Sequence, residues 1–284
     1  MTLPPAHPWA GARVALLTRH RKEAVLAPLF TAAIGATVEL VDSVDTDTLG
    51  TFTREVPRVG SQLDAARRKA LMAVERSGAP WGLGSEGSFS PGPFGLGAWN
   101  LEVLVLVNPG ERLELIGRAR APGLHHHGLV SSREALAALA ERAGFPEHGL
   151  VVRPDGEHHP ALVKGLRDQA ALERAFDEAL RASSSGVVFV ENDLRAHQHP
   201  SRMATIAEAG RDLVERLVTR CPACGSPGFG LVAPVPGLPC RDCGAPTREP
   251  RADELACVRC PHREERPRKH PGGADPARCD VCNP

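Results

Sequence analysis

The sequence predicts an α/β domain, a mixed sheet covered by helices, followed by a small cysteine-rich module. Two observations carry this reading. Over the first 220 residues, short apolar runs alternate with amphipathic stretches of helical period. None of the eight cysteines precedes Cys221. The boundary falls just before it, giving domains 1–218 and 219–284.

The elements follow in order. Residues 13–18 read as a strand and 22–34 as a helix, with a second strand at 37–42. A helix at 63–77 sets Leu63, Ala66, Ala70, Leu71 and Val74 on one face. A short strand at 81–85 runs into a loop rich in Gly, Pro and Ser. Residues 101–108 and 113–120 form a hairpin turned by Asn108-Pro-Gly-Glu111. Helices at 132–143 and 168–182 flank a strand at 150–153. An apolar strand at 186–190 and a helix at 201–218 lead into Cys221. A mixed sheet with helices on its faces accounts for this alternation.

The 34 basic and 34 acidic residues balance. Nucleic acid is therefore a disfavoured partner, since its binding draws on a surplus of Lys and Arg. No run approaches the ~20 apolar residues of a membrane span, so no membrane partner is expected. The start, Met1-Thr-Leu-Pro-Pro, lacks the basic and apolar segments of a secretory leader. The expectation is a cytoplasmic protein.

The cysteines form four Cys-x-x-Cys pairs: Cys221/Cys224, Cys240/Cys243, Cys257/Cys260 and Cys279/Cys282. In a reducing compartment, thiolates so spaced suit a tetrahedral ion better than disulfides. Fifteen residues separate the first two pairs and 18 the last two, both within the range of four-cysteine zinc sites. Two structural zinc ions are expected, in a double zinc-ribbon module. Sequential pairing is favoured because short loops close at lower entropic cost. Gly225 and Gly244 stand where such knuckles take positive φ. With few apolar residues in the module, metal binding worth about 10–16 kcal/mol would supply its folding energy. His262 and His270 read as loop residues. The basic run from Arg259 to Lys269 is broken by Glu264 and Glu265 and reads as a solvated face; a protein partner of the module is one further reading.

Four loops could do chemistry. Thr18-Arg-His-Arg-Lys22 opens a helix, whose free N–H groups favour an anion. Asp64 starts the 63–77 helix, where Ser61-Gln-Leu-Asp64 also makes a capping box. Glu86 stands between glycines just past a strand's end, where α/β sheets place ligands. The densest loop, 191–202, holds Glu191, Asp193, Arg195, His197, His199 and Arg202. His125-His-His127 reads as an exposed loop.

The order Thr18-x-x-x-Lys22, Leu-Asp64-Ala-Ala-x-x-Lys69-Ala, then Gly-Ser-Glu86-Gly resembles the inosine/xanthosine triphosphate pyrophosphatase superfamily over about residues 13–90. The resemblance implies a Mg²⁺-dependent nucleotide hydrolase. Lys22 and Lys69 would hold the phosphate chain beside Thr18, Asp64 and Glu86 would hold Mg²⁺, and Arg202 would contact the base. Asp193 and Arg195 join them as substrate-binding candidates. The chain departs from that pattern at Arg19-His-Arg and Ala65, where the superfamily carries Asn. Its whole length also resembles a bacterial family described only as a domain of unknown function, through Glu191-Asn-Asp-Leu-Arg-Ala, Pro200-Ser-Arg-Met, Cys221-Pro-Ala-Cys-Gly and Asp280-Val-Cys-Asn-Pro284.

Two other readings stand beside the hydrolase. In one, the α/β domain senses a nucleotide or other small anionic ligand and the zinc module docks a partner. In the other, Glu191, Asp193, His197 and His199 hold a catalytic ion.

Overall fold

A computed structural model describes residues 7–43, 60–92 and 97–284. Residues 1–6, on which the expectation about a leader rests, and 93–96, part of the predicted glycine-rich loop, lie outside them. The chain divides into two compact units, Met1–Val214 and Glu215–Pro284. The division falls inside the last helix of the predicted α/β domain.

The first unit contains two sheets where one was expected. In the larger, β1 (Arg13–Leu17) pairs in parallel with β2 (Thr37–Val41) on one side and β3 (Trp81–Pro91) on the other. Antiparallel β4 (Ala98–Asn108) and β5 (Leu113–Gly123) complete the order β2-β1-β3-β4-β5. Helix α1 (Glu23–Ile34) makes the crossover from β1 to β2 and ends at Gly35, with φ 65°. Helix α2 (Gln62–Ser77) precedes β3.

Glycines in β3 are spacers here, whereas the sequence reading took them as loop markers. A Cβ on Gly82 or Gly84 would strike the α2 backbone at Ala70 or Ala66. Their absence lets the small face of α2 (Ala66, Ala70) settle on Val103, Val105 and Val107. So β3 runs on to Pro91, into the predicted loop, and overshoots β1. Glu86, expected beyond a strand's end, sits inside β3 opposite Val103.

The other face of this sheet receives α1 and the start of α5 (Pro200–Val218). Gly210 of α5 abuts Leu26 and Leu29 of α1, and Gly117 of β5 abuts Leu213. Buried Leu26 and Phe30 of α1 and Leu104 of β4 fill this layer.

The smaller sheet is antiparallel, in the order β6-β9-β7-β8: β6 (His127–Val130), β7 (Leu150–Pro154), β8 (Val163–Leu166) and β9 (Val188–Asn192). α3 (Arg133–Arg142) and α4 (Gln169–Ala182) cover one face through Leu136, Leu139, Leu172 and Phe176, packed on Leu150, Val152, Val188 and Val190. Strands β6 and β8 were not predicted. His127, expected in an exposed loop, opens β6 opposite Glu191.

The second unit takes in the end of α5 and a three-stranded antiparallel sheet, β10 (Phe229–Pro236), β11 (Pro250–Cys257) and β12 (Arg263–Pro267). Among the described residues, no helix is long and apolar enough to cross a membrane.

Candidate functional site

Charge gathers where β3 and β4 run past the end of β1. Alternation along β3 sends its side chains to two faces. On the α2 face, Glu86 meets Lys69, Oε1 to Nζ 2.5 Å, with their side chains 7 % and 11 % exposed. On the α1/α5 face, Ser85, Gly87 and Phe89 of β3 lie beside Leu104, Glu102 and Asn100 of β4. Lys22, the N-cap of α1, reaches into this layer and donates from Nζ to Ser85 O (3.3 Å) and Ser85 Oγ (3.1 Å). Arg202 of α5 bonds Glu102 from Nε to Oε1 at 2.7 Å and donates from Nη1 to Leu194 O.

This layer is almost dry: Lys22 is 4 % exposed, Arg202 2 %, Asn100 1 % and Glu102 0 %. A Cβ at Gly87 would collide with both Glu102 and Arg202, so glycine is what lets that pair close over the sheet. Burial pushes the Lys22 amine down to about 7, aided by Arg202 and Lys69 and opposed by Glu102 and Glu86.

Asp64 stands apart from this layer. Its carboxylate closes a capping box with Ser61 and pairs with Arg67 at 3.1 Å, more than half exposed. It lies about 140° round the helix from Lys69. The hydrogen bonds from Ser61 hold it below the usual carboxylate range. The structure therefore brings Lys22, Lys69 and Glu86 into one neighbourhood without Asp64. It adds Glu102, Asn100 and Ser85, which sequence reasoning missed. Glu102 sits in the strand run Leu101-Glu-Val-Leu-Val, where a lone carboxylate reads as solvent-facing.

The two densest loops of the sequence meet. The turn after β1 is held by buried Thr18, whose Oγ1 accepts from His20 N at 3.1 Å. The His20 ring stacks on His197, with centroids 5.2 Å apart and planes at 18°. Burial pushes the His197 imidazole down to about 4, with His20, Arg195 and Arg21 acting in the same direction and Asp193 against them. Arg19 and Arg21 are exposed beside them.

Other side chains of the 191–202 loop are engaged in the fold. Glu191 bonds buried Arg153 at 3.0 Å. Asp193, fully buried, takes Arg195 Nη2 at 2.5 Å and Gly165 N at 2.9 Å. His199 donates from Nε2 to Leu124 O at 2.7 Å and accepts the Arg202 amide on Nδ1 at 3.2 Å. Among the described residues, the only clusters of His, Cys or carboxylates able to surround an ion are made of cysteines. Glu191, Asp193, His197 and His199 thus do not converge on one metal position.

The cysteine tetrads correct the expected pairing. Cys221 and Cys224 join Cys257 and Cys260, while Cys240 and Cys243 join Cys279 and Cys282. The arrangement is interleaved, one site braced across the other. Doubling a loop costs only ~0.6 kcal/mol in closure entropy. The packing of β10 on β11 brings the outer pairs together, seating Phe229 opposite Cys257 and building a small core from Cys221, Phe229 and Leu255.

Closest Sγ···Sγ distances are 3.7 and 3.8 Å in the first tetrad and 3.6 and 3.9 Å in the second. They are far too long for the ~2.05 Å of a disulfide. A tetrahedral ion with Zn–S bonds of ~2.3 Å sets sulfurs ~3.8 Å apart. The cysteines are free thiols and fit metal ions such as zinc at two closed sites. Bonds from Ser226 hold the Cys224 thiol down at about 6, while Cys243 and burial push Cys282 up to about 12. Such crowding favours a cation. Gly225 and Gly244 take φ 71° and 74°, and their amides bond Cys221 O and Cys240 O at 2.8 and 2.9 Å, so both knuckles are built alike.

A family model described as a domain of unknown function (DUF6671) matches residues 69–284, well over half of the chain. The chain belongs to this family. The matched segment takes in Lys69, Glu86, Glu102, Arg202 and all eight cysteines, while Thr18 and Lys22 precede it. No curated protein matches the chain.

Proposed function

We propose that the protein binds a small anionic ligand where the 18–22 turn meets the 193–202 loop, on an α/β unit joined to a module folded around two structural zinc ions. The stack of His20 on His197 carries the reading. Arg21, next to the N-cap of α1, and Arg195, from the 191–202 loop, both bear on the same His197 imidazole. His20, Arg195 and Arg21 all act against charge on His197, and an anion would meet that positive potential at the N-terminus of α1.

The test is a ligand panel of inorganic phosphate, pyrophosphate and nucleoside triphosphates, read by thermal shift and calorimetry on metal-loaded protein. An Arg21→Ala/Arg195→Ala double variant is expected to bind about tenfold or more weakly, each lost charge-assisted bond contributing ~1 kcal/mol or more. If no anion shifts the unfolding temperature of the folded wild type, the reading falls.

Nucleoside triphosphates belong in the panel because residues 13–90 resemble the pyrophosphatase superfamily. Hydrolysis there would draw on two carboxylates at one Mg²⁺, and the capping role of Asp64 gives that step no support. Binding without pyrophosphate release is expected. Release that disappears in Glu86→Gln would restore the hydrolase reading.

A further inference from the structure

Among the described residues, Lys22 is the one cation of the buried layer without a carboxylate in ion-pairing range. Glu86 is committed to Lys69 and one oxygen of Glu102 to Arg202, while Lys22 Nζ bonds only the neutral oxygens of Ser85. We propose that Lys22 is a nucleophilic amine that condenses with the aldehyde or ketone of a small anionic ligand to form an imine.

Three observations support this. The first is geometric. Lys22 Nζ is anchored on Ser85, on the sheet face that also carries Glu102 and Asn100, and the charge of Glu102 acts on it. The second is that this layer has polar atoms to spare. Glu102 Oε2 and both amide atoms of Asn100 are buried without a hydrogen-bond partner among the described residues, although such atoms in protein interiors are almost always satisfied. They share a face with Ser85 and Gly87. Their cross-strand neighbours on β5 are Ala119 and Ala121, so small side chains flank them on that side. A bound carbonyl compound would supply the missing partners. The third is electrostatic. Arg202 and Lys69 disfavour charge on Lys22, burial does the same, and only Glu102 and Glu86 oppose them. A substantial fraction of the amine is therefore neutral near pH 7, the form that attacks.

The step balances without an oxidant or reductant. The Nζ lone pair forms a C–N bond to the carbonyl carbon and the C–O bond breaks. The oxygen leaves as water, carrying the two amine hydrogens. Ser85 Oγ, 3.1 Å from Nζ, is placed to pass those protons. The ligand's negative group would lie at His20, Arg21 and Arg195, and this part alone rests on the anion-site reading above.

The chain has only four lysines, Lys22, Lys69, Lys164 and Lys269, which makes the test clean. The metal-loaded full chain is treated with glyoxylate or with neutral propionaldehyde in the presence of cyanoborohydride, and the reduced adducts are mapped by mass spectrometry. At pH 7, Lys22 is expected to carry the glyoxylate adduct about tenfold faster than exposed Lys269, despite its burial. Its rate is expected to level off above pH ~8, while that of Lys269 keeps rising towards ~10.4. Labelling that follows exposure and spares Lys22 with both aldehydes overturns the proposal. Equal labelling of Lys22 by both keeps the imine and overturns the anion site.

Discussion

Arg202 shows what a residue's surroundings add to its identity. On the sequence it is a cation in a reactive loop, resembling a ligand contact. In the fold it is 2 % exposed, bonded to Glu102 and Leu194 O, and roofed over a glycine. Breaking a buried ion pair costs ~3–5 kcal/mol because the remaining charge stays uncompensated. Gly87→Ala pushes a methyl group into both partners and is expected to cost about 2–4 kcal/mol in urea unfolding. Gly156→Ala, whose Cβ would meet nothing within 4 Å, is the control and should change stability by less than ~0.5 kcal/mol. Equal stabilities of the two variants would remove the role assigned to Gly87.

His199 makes a second residue-scale case, with its sign set by its bonds. Its Nδ1 must stay unprotonated to accept the Arg202 amide, and burial holds the imidazole down to about 4. An unfolded histidine titrates near ~6.5, so between these values the unfolded chain binds more protons. Stability is full above ~6.5 and falls as the pH drops towards 4. Trp9, Trp81 and Trp99 all lie in the first unit, so their fluorescence follows it alone. Its unfolding midpoint should fall between pH 7 and 5, and the fall should be shallower in His199→Gln. A midpoint independent of pH over that range would contradict the assigned bonding.

Among the elements, those with a strong local signal were legible. The 63–77 helix was found to within a residue because its apolar face and its Ser61…Asp64 cap agree. The hairpin of β4 and β5 was found from its Pro-Gly turn. Strand β3 was cut short because glycine reads locally as a loop, whereas its reason here is tertiary: the helix backbone lies against it. β6 and β8, four residues each, give too short a run for period-2 alternation to register. The same contrast between local and tertiary causes bears on Asp64. Asp64→Ala should lower the unfolding midpoint by loss of the capping box and leave anion affinity unchanged. A loss of pyrophosphate binding at unchanged stability would return Asp64 to the site.

At the scale of the whole molecule, the Cys-x-x-Cys pairs were legible because each is a local turn, while their partnership is settled by strands far apart in sequence. That partnership makes a discriminating prediction. If Cys221/Cys224 share an ion with Cys257/Cys260, the double variant Cys221→Ser/Cys257→Ser damages one site and should lose one zinc per chain. Cys221→Ser/Cys240→Ser damages both sites and should lose two. Sequential ribbons reverse the two results, so metal content by elemental analysis of the purified variants separates the topologies without a structure. The interleaving also bears on cooperativity. The segment from Cys240 to Cys243 lies inside the loop closed by the first site, and Cys257 to Cys260 inside that closed by the second, so neither site can open without loosening the other's loop. Loss of the first ion to a strong chelator is therefore expected to hasten loss of the second, with protection of the β10–β11 amides falling as the first ion leaves. Tryptophan fluorescence of the first unit should stay unchanged throughout. Two separated release steps, each leaving the other loop's amides protected, would show that the sites fold independently.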